Sequence, residues 1–513
     1  MASRRDELNA YAFAKRRLVA QFLRPSPTGS EEGAPRPLRA VLPGMLVGAV
    51  LLAGFGAWGM FRPAAPAGWQ EPYAHVIVAS GSTTRYVVLT TKGRHRLHPV
   101  LNMASARLLV EVDDRHSQIV KVADDVLDSS GLQRGATVGI PYAPDRIPGA
   151  AEVGRPKLWA ACERAEPGGR SVQTAVFVLA GRDRAPLGGG NRLRGGQLLY
   201  VESAEEGHAR YVVDATGTKY RIKDRDVPLL SHVVGVGQVP QRVSREWLET
   251  LHEGNEIVRP ELPEKPGGPS RVPSLPANGK RVGSVLRAGG SYFLVLRDKV
   301  ARVSPFTASL LLNSPRLAGL GQAGRPADTG IVFDPRAEFR PYPKWPEQAP
   351  GPRAVNRPVP GGGHRDTVCN VLRSVHGSRG TTTLSTWAGP GFPRPLATGA
   401  TSAYVTPGSG QYFRQISGTR TDTGPFFLVT DAGLRHSVQV GASPAEGGAA
   451  HGEGPYPTGP GDGGGGGRQP LKTARELLGY QDVEAALVPA AWSSLLPTGP
   501  RLSTDAAVRM QGS

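Results

Sequence analysis

Four short apolar runs, each opened by an aromatic ring, recur along the chain: Tyr86-Val87-Val88, Tyr211-Val212-Val213, Tyr292-Phe293-Leu294 and Phe427-Leu428-Val429. A second apolar residue follows each ring by eleven positions: Leu97, Ile222, Val303 and Val438, preceded by Arg96, Arg221 and Arg302 in three copies and by Ser437 in the fourth. Between the two runs stand Lys92-Gly93, Thr216-Gly217, Asp298-Lys299 or Ala432-Gly433, so each unit is predicted to be strand, tight turn, strand. An apolar stretch upstream of each unit (75–79, 197–202, 284–287 and 411–416) supplies a third strand and makes four β-meander modules. The copies are 125, 81 and 135 residues apart, too unequal for modules that stack directly, so another element must lie between them. Residues 135–181, with the strand-like 172–179, and residues 369–386 are the candidates for a central β core. The fold class expected is mainly β with minor α: one N-terminal transmembrane helix, then an elongated exterior region of four modules around that core.

The longest apolar stretch runs from Ala40 to Phe61, 22 residues without a charge, flanked by Arg39 and Arg62. As a helix it would be about 33 Å long, enough for a hydrocarbon core of roughly 30 Å. A cleaved signal peptide is the competing reading, because Ala65-Pro66-Ala67 has the form of a cleavage site, but both leader and apolar run are too long for one. Eight basic residues against four acidic ones precede the stretch, which places the N-terminus in the cytoplasm and the rest of the chain outside. Gly44 and Gly48 form a G-x-x-x-G that would admit a close helix partner. Residues 4–24 read as a helix with Tyr11 and Phe13 near the basic cluster Lys15, Arg16 and Arg17, suited either to an anionic lipid surface or to docking on a partner subunit.

These signals divide the chain into a basic cytoplasmic tail (1–39), a membrane helix (40–61), module 1 (62–125), the first part of the core (126–190) and module 2 (191–240). A helix with a Pro-rich linker (241–280), module 3 (281–312), a Pro-rich linker (313–363), the second part of the core (364–405) and module 4 (406–442) follow. A Gly/Pro-rich linker (443–470) and a C-terminal helical segment and tail (471–513) complete it. Short helices are expected at 244–252 and 471–478, and an apolar strand at 108–114.

Composition fits this picture, with 67 Gly and 47 Pro favouring turns over long helices. The formal net charge of +18 would suggest nucleic acid for a cytosolic protein. Most of that charge lies beyond the membrane in the predicted topology, where polyanions of the cell surface are the more natural counter-charge. Chemistry is scarce. The only Lys followed by Ser or Thr is Lys472-Thr473, preceded by Leu471 and not by glycines, so no Walker A motif is present. No H-E-x-x-H, G-x-S-x-G or C-x-x-C occurs, and no catalytic residue, cofactor or metal site is predicted. Cys162 and Cys369, the only cysteines, both fall outside the membrane; a disulfide is expected ahead of a metal site or free thiols.

The stretch Leu-His-Pro-Val-Leu-Asn-Met-Ala-Ser-Ala-Arg-Leu-Leu-Val at 97–110 resembles the EccB family of type VII (ESX) secretion systems, as do Tyr-Ala-Phe-Ala-Lys-Arg-Arg at 11–17, Gly139-Ile140-Pro141, Leu-Trp-Ala-Ala-Cys at 158–162 and Leu-Pro-Thr-Gly-Pro-Arg-Leu-Ser at 496–503. The resemblance covers essentially the whole chain, departing at Met103, at Tyr142 and in the linker at Gly461–Gly467. It singles out Leu97, His98, Pro99, Val100, Asn102, Ala104, Ser105, Ala106 and Arg107 as the family motif. It implies a single-pass structural subunit of the secretion complex, with EccC, EccD and EccE as membrane partners, the lipid bilayer around its helix, and self-association. Two further readings stand beside it: an ATP-hydrolysing component, as family members are often labelled, and an anchor binding cell-envelope polymer.

Overall fold

A computed structural model describes residues 4–23, 38–60, 65–111, 119–165, 171–205, 207–223, 226–322, 324–334, 336–356, 365–396, 402–441 and 472–511. The chain divides into two units, residues 1–67 and 68–513. The expected linker at 443–470, with its five glycines, lies outside the described residues.

The first unit holds two helices. Arg4–Leu23 begins with Asp6 and Glu7 in its first turn, where carboxylates complement the helix dipole. Leu38–Met60 is a 23-residue helix with Pro43 inside it. Its described side chains leave Val41, Leu42, Met45, Leu46, Val50, Leu51, Leu52 and Phe55 exposed. Among the described residues no helix is long and apolar enough to cross a membrane.

In the second unit each meander forms and is then extended. Module 1 runs Val76–Ala79, Arg85–Thr91 and Arg94–Pro99; module 2 runs Leu198–Ser203, Arg210–Asp214 and Thr218–Ile222. Module 3 runs Val285–Ala288, Ser291–Val295 and Val300–Val303; module 4 runs Gly410–Ile416, Phe426–Thr430 and Arg435–Val438. A helix follows each third strand: Met103–Leu109, Val227–Val234, Pro305–Leu312 and Ala474–Leu477. It leads to a short strand lying parallel to the first: Ile119–Val122, Gln241–Val243, Ala327–Asp328 or Ala486–Pro489. All four helices start at a short polar N-cap, Asn102, Asp226, Ser304 and Thr473, whose side chain accepts from the backbone N–H three residues on. That cap also corrects the expected strand at 108–114, because Asn102 and the Ala-Ser-Ala run carry Leu108 and Leu109 into a helix.

Equal spacing in sequence hides unequal registers. In module 1 Thr91 pairs with Arg94 across the two-residue turn Lys92-Gly93, both at positive φ. In module 3 Val295 pairs with Val300 and the Leu296 N–H bonds the Lys299 carbonyl, which centres the turn on Arg297-Asp298 rather than Asp298-Lys299. Modules 2 and 4 close through three residues ending in Gly217 (φ 78) and Gly433 (φ 77), and their rings pair with Arg221 and Ser437, whereas Tyr292 pairs with Val303 and Tyr86 with Pro99. Turn length and turn position together fix the register, and the repeat tolerates three versions.

The central sheet has the strand order Thr382–Gly389, Thr367–Val375, Leu158–Ala165, Val172–Leu179, Ala403–Val405. One face packs Trp159, Ala161, Val176 and Leu384 with Val201 and Trp247 of the module 2 region and Phe413 of module 4. The other face buries Leu158, Cys162, Phe177, Cys369 and Trp387. Coverage on both sides explains why these strands read as continuous apolar runs rather than alternating ones. Modules 1 and 4 share one core, joining Val87, Leu89, Ala104 and Val138 to Tyr412, Leu428, Tyr480 and Leu502. The Pro-rich segments expected as linkers are packed where described: Trp345 enters the module 2 core with Phe306, and Leu275 sits under module 3.

Candidate functional site

The family motif sits at the joint between modules 1 and 4. Leu97 faces Val88, and Pro99 faces Tyr86, across the hairpin. Val100 and Val138 form a parallel bridge. The Asn102 Oδ1 accepts from the Ser105 backbone N–H (3.0 Å) and hydroxyl (2.7 Å), while its Nδ2 donates to the Ile140 carbonyl (2.7 Å). Ser105 Oγ in turn accepts from the Ile140 N–H (2.8 Å). Ala104 and Ala106 are fully buried, which lets the helix approach the C-terminal segment; Arg107 is half-buried. Beyond the motif, the Gly139 N–H bonds the Arg509 carbonyl (3.3 Å) and the Gln511 N–H bonds the Thr137 carbonyl (2.8 Å), so the start of this unit is sewn to the end of the chain. The side chains of Asn102 and Ser105 are thus spent on each other and on backbone groups of the same joint.

His98 belongs to a device the sequence did not reveal. Its Nδ1 donates to the Ala136 carbonyl (2.8 Å), its Nε2 accepts from the Thr91 hydroxyl (3.0 Å), and its ring lies on Gly135, where an added Cβ would be 2.2 Å from the imidazole. Module 4 repeats this with His436, whose Nδ1 donates to the Pro500 carbonyl (3.0 Å) and whose ring lies 2.3 Å from a Cβ built on Gly499. In module 2 the ring is Tyr220 and the glycine Gly254, at 2.4 Å. The backbone ladder is the same in all three: Gly135, Gly254 and Gly499 donate to the carbonyls of Leu97, Lys219 and Arg435, then Val138, Ile257 and Leu502 donate to those of Pro99, Arg221 and Ser437. Burial lowers the pKa of both imidazoles. They are neutral packing groups rather than exposed acid–base groups.

Cys162 and Cys369 stand directly opposite each other on adjacent antiparallel strands, bonded sulfur to sulfur at 2.03 Å with both side chains fully buried. Next to Cys162 is Glu163, a fully buried carboxylate that the sequence reading passed over; its signal was a charge inside an apolar strand. It accepts from the Ser244 N–H (2.8 Å), the Ser244 hydroxyl and the Thr174 hydroxyl (2.8 Å). Ser244 caps Arg245–Glu249, the observed part of the expected 244–252 helix, and Trp247 of that helix donates to the Ala161 carbonyl (2.9 Å). Burial, the largest cause, raises the Glu163 pKa against these hydrogen bonds. A carboxyl with a raised folded pKa is compatible with folding below its unfolded pKa and costs stability as pH rises through the folded value. Glu163→Gln should therefore flatten the stability profile above pH 4 to 5, whereas Glu163→Ala should cost about 3 kcal/mol by stranding buried donors. Denaturant titrations of residues 68–513 across pH check both; an Ala variant as stable as the Gln variant would remove the donors from the account.

Tyr11, Phe13, Lys15, Arg16 and Arg17 lie on Arg4–Leu23 with Tyr11 and Phe13 at 71% and 66% exposure. A cavity of about 260 Å³ in module 3 is lined by Leu311, Leu317, Asn313, Ser314 and Gln322 among others, without an ionisable side chain. Among the described residues no group of acidic, His or Cys side chains could hold a metal ion.

A scaffold of repeated β modules tied to a cystine-closed sheet is the class the geometry defines. The chain belongs to the EccB family, described as "Type VII secretion system ESX-1, transport TM domain B", which matches residues 1–512. It is 25% identical over 470 residues to the ESX-3 secretion system ATPase EccB3 of Mycobacterium tuberculosis, covering 85% of this chain and 80% of that protein. It is 26% identical over 445 residues to the EccB3 of Mycolicibacterium smegmatis, covering 78% and 76%. Its fold is that of a chain in the intact ESX-5 inner membrane complex (TM-score 0.54, 22% identity, covering 100% of this chain and 96% of that one) and of the EccB3 dimer from the ESX-3 core complex (0.52, 21%, 85% and 99%).

Proposed function

We propose that this chain is a non-catalytic assembly subunit of a type VII secretion complex. The reading places the Leu38–Met60 helix in the cell membrane, residues 1–39 in the cytoplasm and the second unit outside, working alongside EccC-, EccD- and EccE-type subunits and further copies of itself. One observation carries it: the motif residues Asn102, Ser105 and His98 are spent on hydrogen bonds that hold the joint between module 1 and the segment around residues 135–140. The related structures, taken from inner membrane complexes and a dimer, support membership of a membrane assembly and self-association. The apolar side chains left uncovered on Leu38–Met60 support a lipid environment. The exposed Lys15–Arg17 cluster supports docking of the N-terminal helix on a partner.

The relatives' names carry the word ATPase. A Walker A sequence is missing from this chain, so the assembly reading expects no saturable ATP turnover from purified residues 68–513. A rate abolished by a single substitution would sink it. In the full complex, replacing Lys15, Arg16 and Arg17 by Ala is expected to release this chain. A complex that stays intact with its orientation preserved would reject docking through those charges.

A further inference from the structure

An arginine cluster beside the central sheet has no paired acid among the described residues. Thr367–Val375 shifts register between Leu372 and Ser374 against Thr382–Gly389, which makes Arg373 the extra residue of a β-bulge. Bulges re-aim the side chain they insert. Arg373 turns its Nε to the Ser385 hydroxyl (2.7 Å) and a terminal nitrogen to the Leu187 carbonyl (2.8 Å). Leu187 ends the turn Ala185–Leu187, and Gly188, Gly189 and Gly190 follow it; a Cβ at Gly189 or Gly190 would meet nothing within 4 Å. The same loop brings in two more cations. Arg184 precedes the turn, one terminal nitrogen donating to the Pro156 carbonyl and its Nε buried without a partner, and Arg192 pairs through its backbone with Trp387 on the neighbouring strand.

Burial, then Arg192 and Arg184, pull the Arg373 guanidinium down to about 10, and no carboxylate opposes them. The acid of this loop is already committed: Asp183 pairs with Arg394 at 2.7 Å and accepts from the Tyr404 hydroxyl at 3.2 Å. Among the described residues no ion pair joins Arg184, Arg192 or Arg373 to an acid. Three like charges around a partly desolvated site repel unless an anion sits among them. The guanidinium fork matches the oxygens of phosphate, and a side-chain-free glycine turn leaves room for it.

We propose that Arg184, Arg192 and Arg373 form a binding site for a phosphate group, carried either by a soluble phosphate ester or by a lipid headgroup. This goes beyond the assembly reading and does not depend on it. The site is built around Arg373, held by its two hydrogen bonds, and Arg184, held by the Pro156 carbonyl, while the exposed Arg192 closes on the ligand.

The test uses the full chain in phosphate-free maltoside micelles, titrated calorimetrically with inorganic phosphate at constant ionic strength. Saturable binding is expected, weakened about tenfold or more in the double variant Arg184→Gln/Arg192→Gln, as charge-assisted contacts are lost. That double variant leaves the Arg373 anchor intact, so folding, checked by its thermal midpoint, is separable from binding. Binding no stronger than that of chloride, or unchanged in the double variant, overturns the site. Glycerol phosphate in solution and short-chain phosphatidylglycerol in the micelle then distinguish the source. Binding of either one with the same loss in the variant upholds the site and says which carrier it prefers; binding of neither overturns it.

Discussion

Replacing Cys162 or Cys369 by Ser should lower the thermal midpoint of residues 68–513 by the largest margin of any single change in the chain. The two residues are 207 apart in sequence. In the chain-entropy model, closing a loop of that size removes about 5 kcal/mol of denatured-state freedom, an upper figure because denatured chains keep some structure. That equals the whole stability of many domains. Modules 2 and 3 are inserted between the two cysteines, so the bond ties the flanks of the insertion at the middle of the sheet. Loss of the bond should also speed proteolysis in the Pro-rich segments near 260–279 and 341–352. Calorimetry and limited proteolysis read these effects. Free thiols at both positions, found by mass spectrometry of a non-reducing digest, would refute the clamp outright.

The second large effect is expected from the smallest substitution. Gly135→Ala places a methyl group 2.2 Å from the His98 ring, and Gly499→Ala places one 2.3 Å from His436. Neither imidazole can retreat, since each is buried and held by a backbone carbonyl. Overpacking of this kind costs about 3 kcal/mol. Gly391→Ala is the control, because nothing lies within 4 Å of its Cβ, and it should change stability by less than about 0.5 kcal/mol. The double variant Gly135→Ala/His98→Ala should be more stable than the sum of its parts by about 1 kcal/mol or more. Strict additivity would mean that ring and glycine do not meet.

The contrast between those two predictions shows what the amino-acid sequence could convey. The meander strands were legible because apolar residues with an aromatic lead and a turn pair lie within a dozen residues of one another. Cys162 and Cys369 were legible for a different reason, as two thiols in a chain with no other use for them. The ring-on-glycine pairs were not. His98 and Gly135, or His436 and Gly499, are far apart in sequence, and a glycine needed for close approach is spelled like one needed for a turn. Of the four helical crossovers only Ala474–Leu477 was legible, as the helix expected at 471–478; the other three were missed because they are short. Met103–Leu109 has seven residues, and only its cap, Asn102, distinguishes it from a continuing apolar strand. Glu163 was overlooked because its partners, Ser244 and Thr174, come from separate parts of the chain.

The seam between module 1 and the chain's end also has a mechanical meaning. Tyr73 bonds Val88, Val88 pairs with Leu97, Val138 pairs with Met510, and Gln511 bonds Thr137. A pull applied between the segment entering this unit and its last residues therefore travels through a few strands of module 1 and the C-terminal segment. Modules 2 and 3 hang outside that circuit, as a side loop in which tension does not develop.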